Sequence, residues 1–261
     1  MPDQPIRFED GAAYDRGMGA WSRVAGDTFL EWIAPPPGLK WLDVGCGSGA
    51  FTDLLVRRCA PAEMRGVDPS EHQLLFARAR PSVINVEFQQ GDAMALPFAD
   101  NSSDAAVMAL VIFFVPDPAK GVAEMARVVR SGGIVAAYAW DMAGGGFPFH
   151  PIQAELRAMG VTSPLPPSPD ASRTEVLHAL WTAAGLQAIE SRVIAARRTF
   201  DDFEDFWRQS TGMGSIRPTI AAMTPAEVAQ FKDRVRARLR TGDHGRITHE
   251  ARANAIKGRV G

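Results

Sequence analysis

A doubly wound α/β sheet is the fold class this sequence predicts, on three observations. Residues 41–50, Trp-Leu-Asp-Val-Gly-Cys-Gly-Ser-Gly-Ala, run from a short apolar strand into glycines at alternate positions, Gly45, Gly47 and Gly49. Helical spacing begins directly afterwards at Phe51, Leu54, Leu55 and Val56, so the turn ends at a helix N-terminus with free N–H groups. Beyond it, apolar runs alternate with helical patterns as far as Trp140, the rhythm of βαβ units and a mostly parallel sheet. A chain of 261 residues, 46% hydrophobic and 22% charged, is long enough to bury a sizeable core of this kind.

Each element has its own local signal. A leader helix is predicted from about Asp15 to Ile33, because Trp21, Val24, Ala25, Thr28, Phe29, Trp32 and Ile33 share one face. Pro35-Pro36-Pro37-Gly38 stops it, and the first strand covers Lys40 to Val44. A second strand, Met64 to Val67, ends in Asp68-Pro69-Ser70, where Ser70 has N-cap character with Gln73 three residues on. A third strand, Val86 to Phe88, leads to Gly91-Asp92-Ala93-Met94. The continuous apolar run Ala105 to Val111 reads as a buried fourth strand. Pro116-Asp117-Pro118 opens a helix reaching Val129, and Ser131-Gly132-Gly133 turns it into the strand Ile134 to Trp140.

After Trp140 the rhythm breaks. Gly144-Gly145-Gly146 and Pro164 to Pro169 are turn-rich and are expected to form a mobile connection. A helix from Arg173 to Gly185 precedes a strand at Ala188 to Ile194, and residues 201–240 look helical. Thr224-Pro225-Ala226-Glu227 is a strong helix start, and Arg246 to Val260 alternates as an edge strand would. The organisation expected is a leader or cap at 1–40, an α/β core at 41–140, and the rest of the sheet at 141–261 carrying a helical insertion at about 201–240.

Charge and composition narrow the function classes. The net charge of −2 argues against nucleic acid or an anionic membrane as partner. The basic stretch Lys232, Arg234, Arg236, Arg238, Arg240 is interleaved with Phe231, Val235 and Leu239 every four residues, so it reads as an amphipathic helix with a solvated basic face. Two cysteines, Cys46 and Cys59, make neither a disulfide framework nor a zinc site by spacing, and no metal is expected. With no signal pattern at Met1 to Asp10 and no apolar run of about 18 residues, a cytoplasmic monomer or homodimer is expected.

The glycine turn alone suits two cofactor classes, dinucleotides and S-adenosylmethionine, and Asp68 at the second strand's end suits the ribose of either. Asp43 separates them. A carboxylate at the first strand's tip opposes a pyrophosphate but favours a sulfonium with an α-amino group. Asp92, after the third strand, adds an acceptor where an adenine edge can be read. Each aspartate also has a plainer role, capping a turn.

Taken in order, Leu42-Asp43-Val44-Gly45-Cys46-Gly47-Ser48-Gly49, Gly66-Val67-Asp68-Pro69-Ser70, Gly91-Asp92-Ala93-Met94-Ala95-Leu96-Pro97-Phe98 and Ala126-Arg127-Val128-Val129-Arg130-Ser131-Gly132-Gly133 resemble the motifs of class I S-adenosylmethionine-dependent methyltransferases. The subgroup is the one similar to ubiquinone/menaquinone-biosynthesis enzymes (methyltransferase type 11). The likeness is close over residues 12–140 and only general beyond. It implies a Rossmann-like seven-stranded sheet of order 3-2-1-4-5-7-6 with the last strand antiparallel. It further implies that Gly45, Cys46 and Gly47 line the methionine moiety and that Asp43 orients its amino group. Asp68 would hold the ribose, Pro69 would pack on adenine, and Asp92 with Ala93 or Met94 would read the adenine edge. The Leu110 carbonyl would hold the ammonium, and Tyr14 and Arg23 would close over the carboxylate.

The implied activity is in-line transfer of a methyl group to a small, apolar or aromatic acceptor. A nicotinamide-dependent oxidoreductase and a non-catalytic S-adenosylmethionine-binding module are the alternatives. A base is needed only if the acceptor loses a proton during attack. Tyr138, Asp141 and His150 are the candidates, with Trp140 beside them and His178 more remote; Phe203 and Trp207 are candidate pocket walls. The apolar Val111-Ile112, where related sequences carry a polar residue, removes one obvious base and suggests an apolar acceptor pocket.

Overall fold

The computed structural model describes residues 11–161, 165–211 and 216–261, with side chains from Met18 onward. The strands are β1 (Lys40–Val44), β2 (Glu63–Asp68), β3 (Glu87–Gln90), β4 (Ser103–Ala109), β5 (Val129–Trp140), β6 (Gln187–Phe200) and β7 (Ile247–Arg259). The helices are α1 (Gly11–Ile33), α2 (Ala50–Cys59), α3 (Glu71–Arg78), α4 (Pro118–Val128), α5 (His150–Ala158), α6 (Thr174–Ala183), α7 (Phe203–Thr211), α8 (Ile216–Ala221) and α9 (Pro225–Ala237). The strands form one sheet in the order β3-β2-β1-β4-β5-β7-β6, with β7 antiparallel to both its neighbours. The expected sheet is therefore present in order and direction.

Side-chain parity in the strands builds two cores, one on each face. Trp41, Val107, Ala136 and Tyr138 face a layer made of α1, α2, α5 and the helices between β6 and β7. Leu42, Met108, Val135 and Ala137 face α4 and α6 instead. Fully buried Trp181 on α6 seals the second face and donates its indole N–H to the Val135 carbonyl at 3.1 Å. Both faces of the central strands are covered, which is why they read as unbroken apolar runs.

Two expectations about the C-terminal third need correction. Strand β7 lies inside the sheet, between β5 and β6, and is not an edge. Its alternating alanines suggested one wet face, yet Ala253, Asn254, Ala255 and Ile256 are all buried, with Asn254 donating to the Ser172 carbonyl at 2.8 Å. Small residues fit between two layers as readily as at a rim. Strand β6 runs six residues past the predicted end at Ile194, pairing with β7 as far as Phe200 opposite Ile247. The segment after Trp140 also contains α5, whose Ile152 and Leu156 are buried. Of the proline-rich stretch 164–169, Pro164 lies outside the described residues.

The predicted insertion is helical, as α7, α8 and α9. Thr224 and Glu227 form the reciprocal capping box, and α9 buries Phe231 and Val235 while Arg234 stays exposed. Phe231 meets Trp207 edge-on at 5.3 Å between ring centres. Among the described residues no helix is long and apolar enough to cross a membrane. Phe231→Ala should lower the unfolding free energy by about 3–5 kcal/mol through an internal cavity, whereas Arg234→Ala should change it by less than about 0.5 kcal/mol. Denaturant midpoints of the two variants check this, and equal midpoints would contradict the buried and solvated faces assigned to α9.

Candidate functional site

The turn after β1 is shaped by its contacts on both sides. Gly45 has φ +76°, and a Cβ there would stand 2.4 Å from Cγ1 of Val111, so neither backbone nor space admits a side chain. The Gly45 and Cys46 N–H groups both donate to the Val67 carbonyl, at 2.7 and 3.0 Å, folding the turn across the end of β2. Gly47, at φ +52°, has nothing within 4 Å of its would-be Cβ and opens onto empty space. Its N–H donates to Oδ2 of Asp68 at 2.9 Å, while the Ser70 N–H donates to Oδ1 at 2.9 Å. One carboxylate thus ties the β1 turn to the β2 turn.

Asp43 sits one strand over, 1% exposed, and accepts the Thr52 hydroxyl on Oδ2 at 2.6 Å. Burial pushes its carboxyl up to about 7; the Thr52 hydrogen bond opposes this and the neighbouring Asp68 charge adds to it. Burial also raises Asp68, against the pull of its two backbone donors. The Cys46 thiol is raised by burial first and by the two carboxylates next, so it is held as an inert thiol.

These groups open onto a cavity of about 980 Å³ at the carboxyl ends of β1, β2, β4 and β5. The strand order reverses between β1 and β4, so the cavity lies at the topological switch point. Asp43, Gly45, Cys46, Gly47, Asp68, Pro69, Asp92, Ala93 and Leu110 all line it. Asp92 also closes its own turn, taking the Met94 N–H on Oδ1 at 2.8 Å. That bond occupies Met94, which does not line the cavity, and leaves Ala93 as the member of the pair that does. Leu110 adopts φ +64°, a left-handed conformation that costs a leucine about 1–3 kcal/mol. Its N–H donates to the Tyr138 carbonyl at 2.8 Å.

The remaining walls are apolar. Phe51 and the fully buried Tyr138 pack at a tilt with ring centres 5.6 Å apart, and Phe29 lies 4.6 Å from Tyr138. Opposite stand Val111, Phe114, Val115 and Pro116, covered by Leu165-Pro166-Pro167. Ser168 pins this proline strap, its N–H donating to the Phe113 carbonyl at 3.0 Å and its hydroxyl to the Val115 carbonyl at 2.8 Å. Among the described residues no lysine or arginine lines the cavity.

Several sequence candidates stand elsewhere. Tyr14 lies on α1 where side chains are outside the described residues. Arg23 is exposed and does not line the cavity; its neighbour Ser22 does. Of the base candidates only Tyr138 reaches the wall. Asp141 caps its own glycine loop, accepting the Gly144 N–H at 2.8 Å. His150 begins α5 against Gly145, held below its usual range by burial and by Arg157, Arg238 and Arg252. Trp140, Phe203 and Trp207 belong to the core beneath α1 and α9, and His178 pairs with Ser191 at 2.9 Å. Sequence reading missed Ser22, Thr52 and the strap. Thr52 follows Asp43 by nine residues with no local signal, and the strap comes from the far side of α5.

Residues 42–137 match the family described as methyltransferase domain. A demethylmenaquinone methyltransferase of Desulfitobacterium hafniense (strain Y51) is 37% identical over 119 residues, 44% of this chain and 46% of that protein. The likeness thus spans less than half of that relative. Among solved structures, phosphoethanolamine N-methyltransferase 2 of Haemonchus contortus, in complex with S-adenosyl-L-methionine, gives a TM-score of 0.58 at 16% identity. The match covers 97% of this chain and 59% of that one. The 4+2 cyclase SpnF gives a TM-score of 0.58 at 20% identity, over 99% of this chain and 88% of that one. At such identities the likeness is one of fold.

The raised Asp43 carboxyl has a consequence for stability. Unfolded, the group ionises near pH 4; folded, it keeps its proton up to about 7. Between these values the unfolded chain binds fewer protons, so stability falls as pH rises through the window. Asp43→Asn retains an acceptor for Thr52 and cannot ionise. The wild type should lose stability relative to this variant by on the order of a few kcal/mol from pH 4 to pH 8. Parallel denaturation profiles for the two proteins would contradict the buried, proton-holding carboxyl.

Proposed function

We propose, from the match of residues 42–137 to the methyltransferase-domain family, that the chain is an S-adenosylmethionine-dependent methyltransferase (EC 2.1.1.-) acting on a small apolar or aromatic acceptor. The observation that carries the reading is the pair of buried carboxylates, Asp43 and Asp68, bracketing a glycine turn in a cavity that no lysine or arginine lines among the described residues. A pyrophosphate placed there would meet two carboxylates and, among the described residues, no lysine or arginine, which disfavours a dinucleotide. A cationic donor completes the charge balance. The unfilled space at Gly47 and the raised carboxyls of Asp43 and Asp68 fit such a donor.

S-adenosylmethionine supplies a methyl group already activated on a sulfonium. Asp68 is oriented by two backbone donors, and its remaining lone pairs are the acceptors for ribose hydroxyls. Asp43, fixed by Thr52, faces the ammonium with a carboxyl whose ionisation a nearby cation favours. Ala93 offers its backbone to adenine beside Asp92. A volume of about 980 Å³ is at the upper end of ligand pockets, about 300–1,000 Å³, so a donor and a small acceptor fit together. The apolar walls exclude water and orient the acceptor, and alignment of this kind supplies much of the rate. Tyr138 is the polar side chain on the aromatic wall, placed to take part where an acceptor must lose a proton.

Fold alone does not fix the chemistry, and the cyclase named above shares it. The apolar Val111-Ile112 favours, as a second reading, a donor-binding protein that moves no methyl group. Incubation with methyl-labelled S-adenosylmethionine and a panel of quinols, phenols and amines, read by mass spectrometry, separates the two; a labelled product supports transfer. For the donor site, Asp68→Ala should weaken S-adenosylhomocysteine binding by about 2–4 kcal/mol through lost charge-assisted hydrogen bonds. Calorimetry reads this. Unchanged affinity would sink the ribose role, and saturable NADH binding by the wild type would favour the oxidoreductase.

A further inference from the structure

The cavity is divided by charge along the order of the strands. Its lining carboxylates among the described residues, Asp43, Asp68 and Asp92, stand at the ends of β1, β2 and β3. The half built from β4, β5 and the loop after β4 presents Val111, Phe114, Val115, Pro116 and Tyr138, with no charged side chain among the described residues. A negative charge on a ligand in that half would lose its water and gain no lysine or arginine, while sharing the cavity with the aspartates.

The strap that covers this half is stiff but poorly packed. Leu165 precedes a proline, which restricts it to extended backbone, and Pro166 and Pro167 fix their own φ. Ser168 then anchors the end of the strap to the loop after β4. Behind it lies a second cavity of about 360 Å³, between the first turn of α4 and α6, and Pro167 lines both cavities. A segment with space on two sides adds little packing to the fold. Leu165 repeats the point as a single side chain. It is 66% exposed, and of the strongly exposed large hydrophobic residues among those described it alone lines the main cavity. A leucine exposed on open surface needs no reason. One held by a stiff strap against an apolar cavity has a ligand as its natural cover.

We infer that Leu165 selects the methyl acceptor: its side chain covers the apolar body of the acceptor, and the acceptor it admits carries no negative charge. The stiffness of the strap serves this role, because a side chain already held in place loses little freedom when the ligand arrives. The size of the residue at 165 then sets how much of the acceptor is shielded from water. The uncharged walls of the β4–β5 half exclude acceptors that carry a carboxylate, sulfonate or phosphate.

The inference rests on the donor reading above, and probes that need no turnover keep the two separate. Phenylnaphthylamine is a neutral apolar fluorophore, and anilinonaphthalenesulfonate is the same framework with a sulfonate added. Wild type saturated with S-adenosylhomocysteine should bind the neutral probe at one saturable site, and the sulfonate at least about tenfold more weakly. Leu165→Ala should weaken the neutral probe about tenfold through lost apolar contact. Its affinity for S-adenosylhomocysteine, read by calorimetry, should be unchanged, which also shows that the variant is folded. Equal affinity of wild type and variant for the neutral probe overturns the role of Leu165, and equal affinity for the two probes overturns the exclusion of charge. Displacement of S-adenosylhomocysteine by the neutral probe, or no saturable binding of it, overturns both and leaves the donor reading intact. A wild type that takes no S-adenosylhomocysteine overturns the donor reading and this inference with it.

Discussion

Two carboxylates buried side by side at the tips of adjacent strands are the constraint around which this edge of the sheet is organised. Moving a charge out of water costs several kcal/mol unless hydrogen bonds and opposite charges replace the solvent. Asp68 is offset by backbone N–H groups from two different loops, and Asp43 by one hydroxyl. To deliver the Gly47 N–H, the β1 turn must bend back over β2. That bend needs a left-handed Gly45, and Gly45 can approach Val111 only because it lacks a side chain. The compensation remains incomplete, since both carboxyls sit above their usual range. The deficit is a cation, and among the described residues no lysine or arginine lines the cavity.

What the sequence made legible follows from the range of the forces involved. The bounds of β1, the Ser70 cap and the Thr224–Glu227 capping box are local, and each is where the pattern put it. Asp43, Asp68 and Asp92 were legible because short acidic side chains at strand ends have few directions in which to point. The interior place of β7 was not, because it depends on what covers each face of the strand, and alanine tolerates either condition.

The helical insertion between β6 and β7 illustrates how little a cap's composition says about its target. Phe203, Phe206, Trp207 and Phe231 are aromatic enough to suggest a ligand pocket. They instead pack on one another and under cations, with Arg236 4.3 Å above Phe203 and Lys232 5.4 Å from Trp207. Long β6 and β7 extend beyond the sheet's edge and need a hydrophobic cover of their own, which these helices with α1 provide. The cavity's cover is smaller: a strap of one leucine and two prolines, pinned by a serine to the loop after β4.

Donor and acceptor recognition are thus divided between different kinds of structure. The donor side, as proposed, uses backbone N–H groups and short acids fixed by strand register, features that tolerate little change without loss of the turn itself. The acceptor side, as proposed, uses side chains of Phe51, Phe114, Tyr138 and Leu165, drawn from α2, from the loop after β4, from β5 and from the strap. Transfer from an activated sulfonium demands alignment more than acid or base strength. Nothing in the chemistry then forces a fixed catalytic side chain on the acceptor wall, and shape is left to select the substrate. That is why a ten-residue glycine turn can announce the methyl donor, whereas the proposed acceptor wall is drawn from four separate segments of the chain.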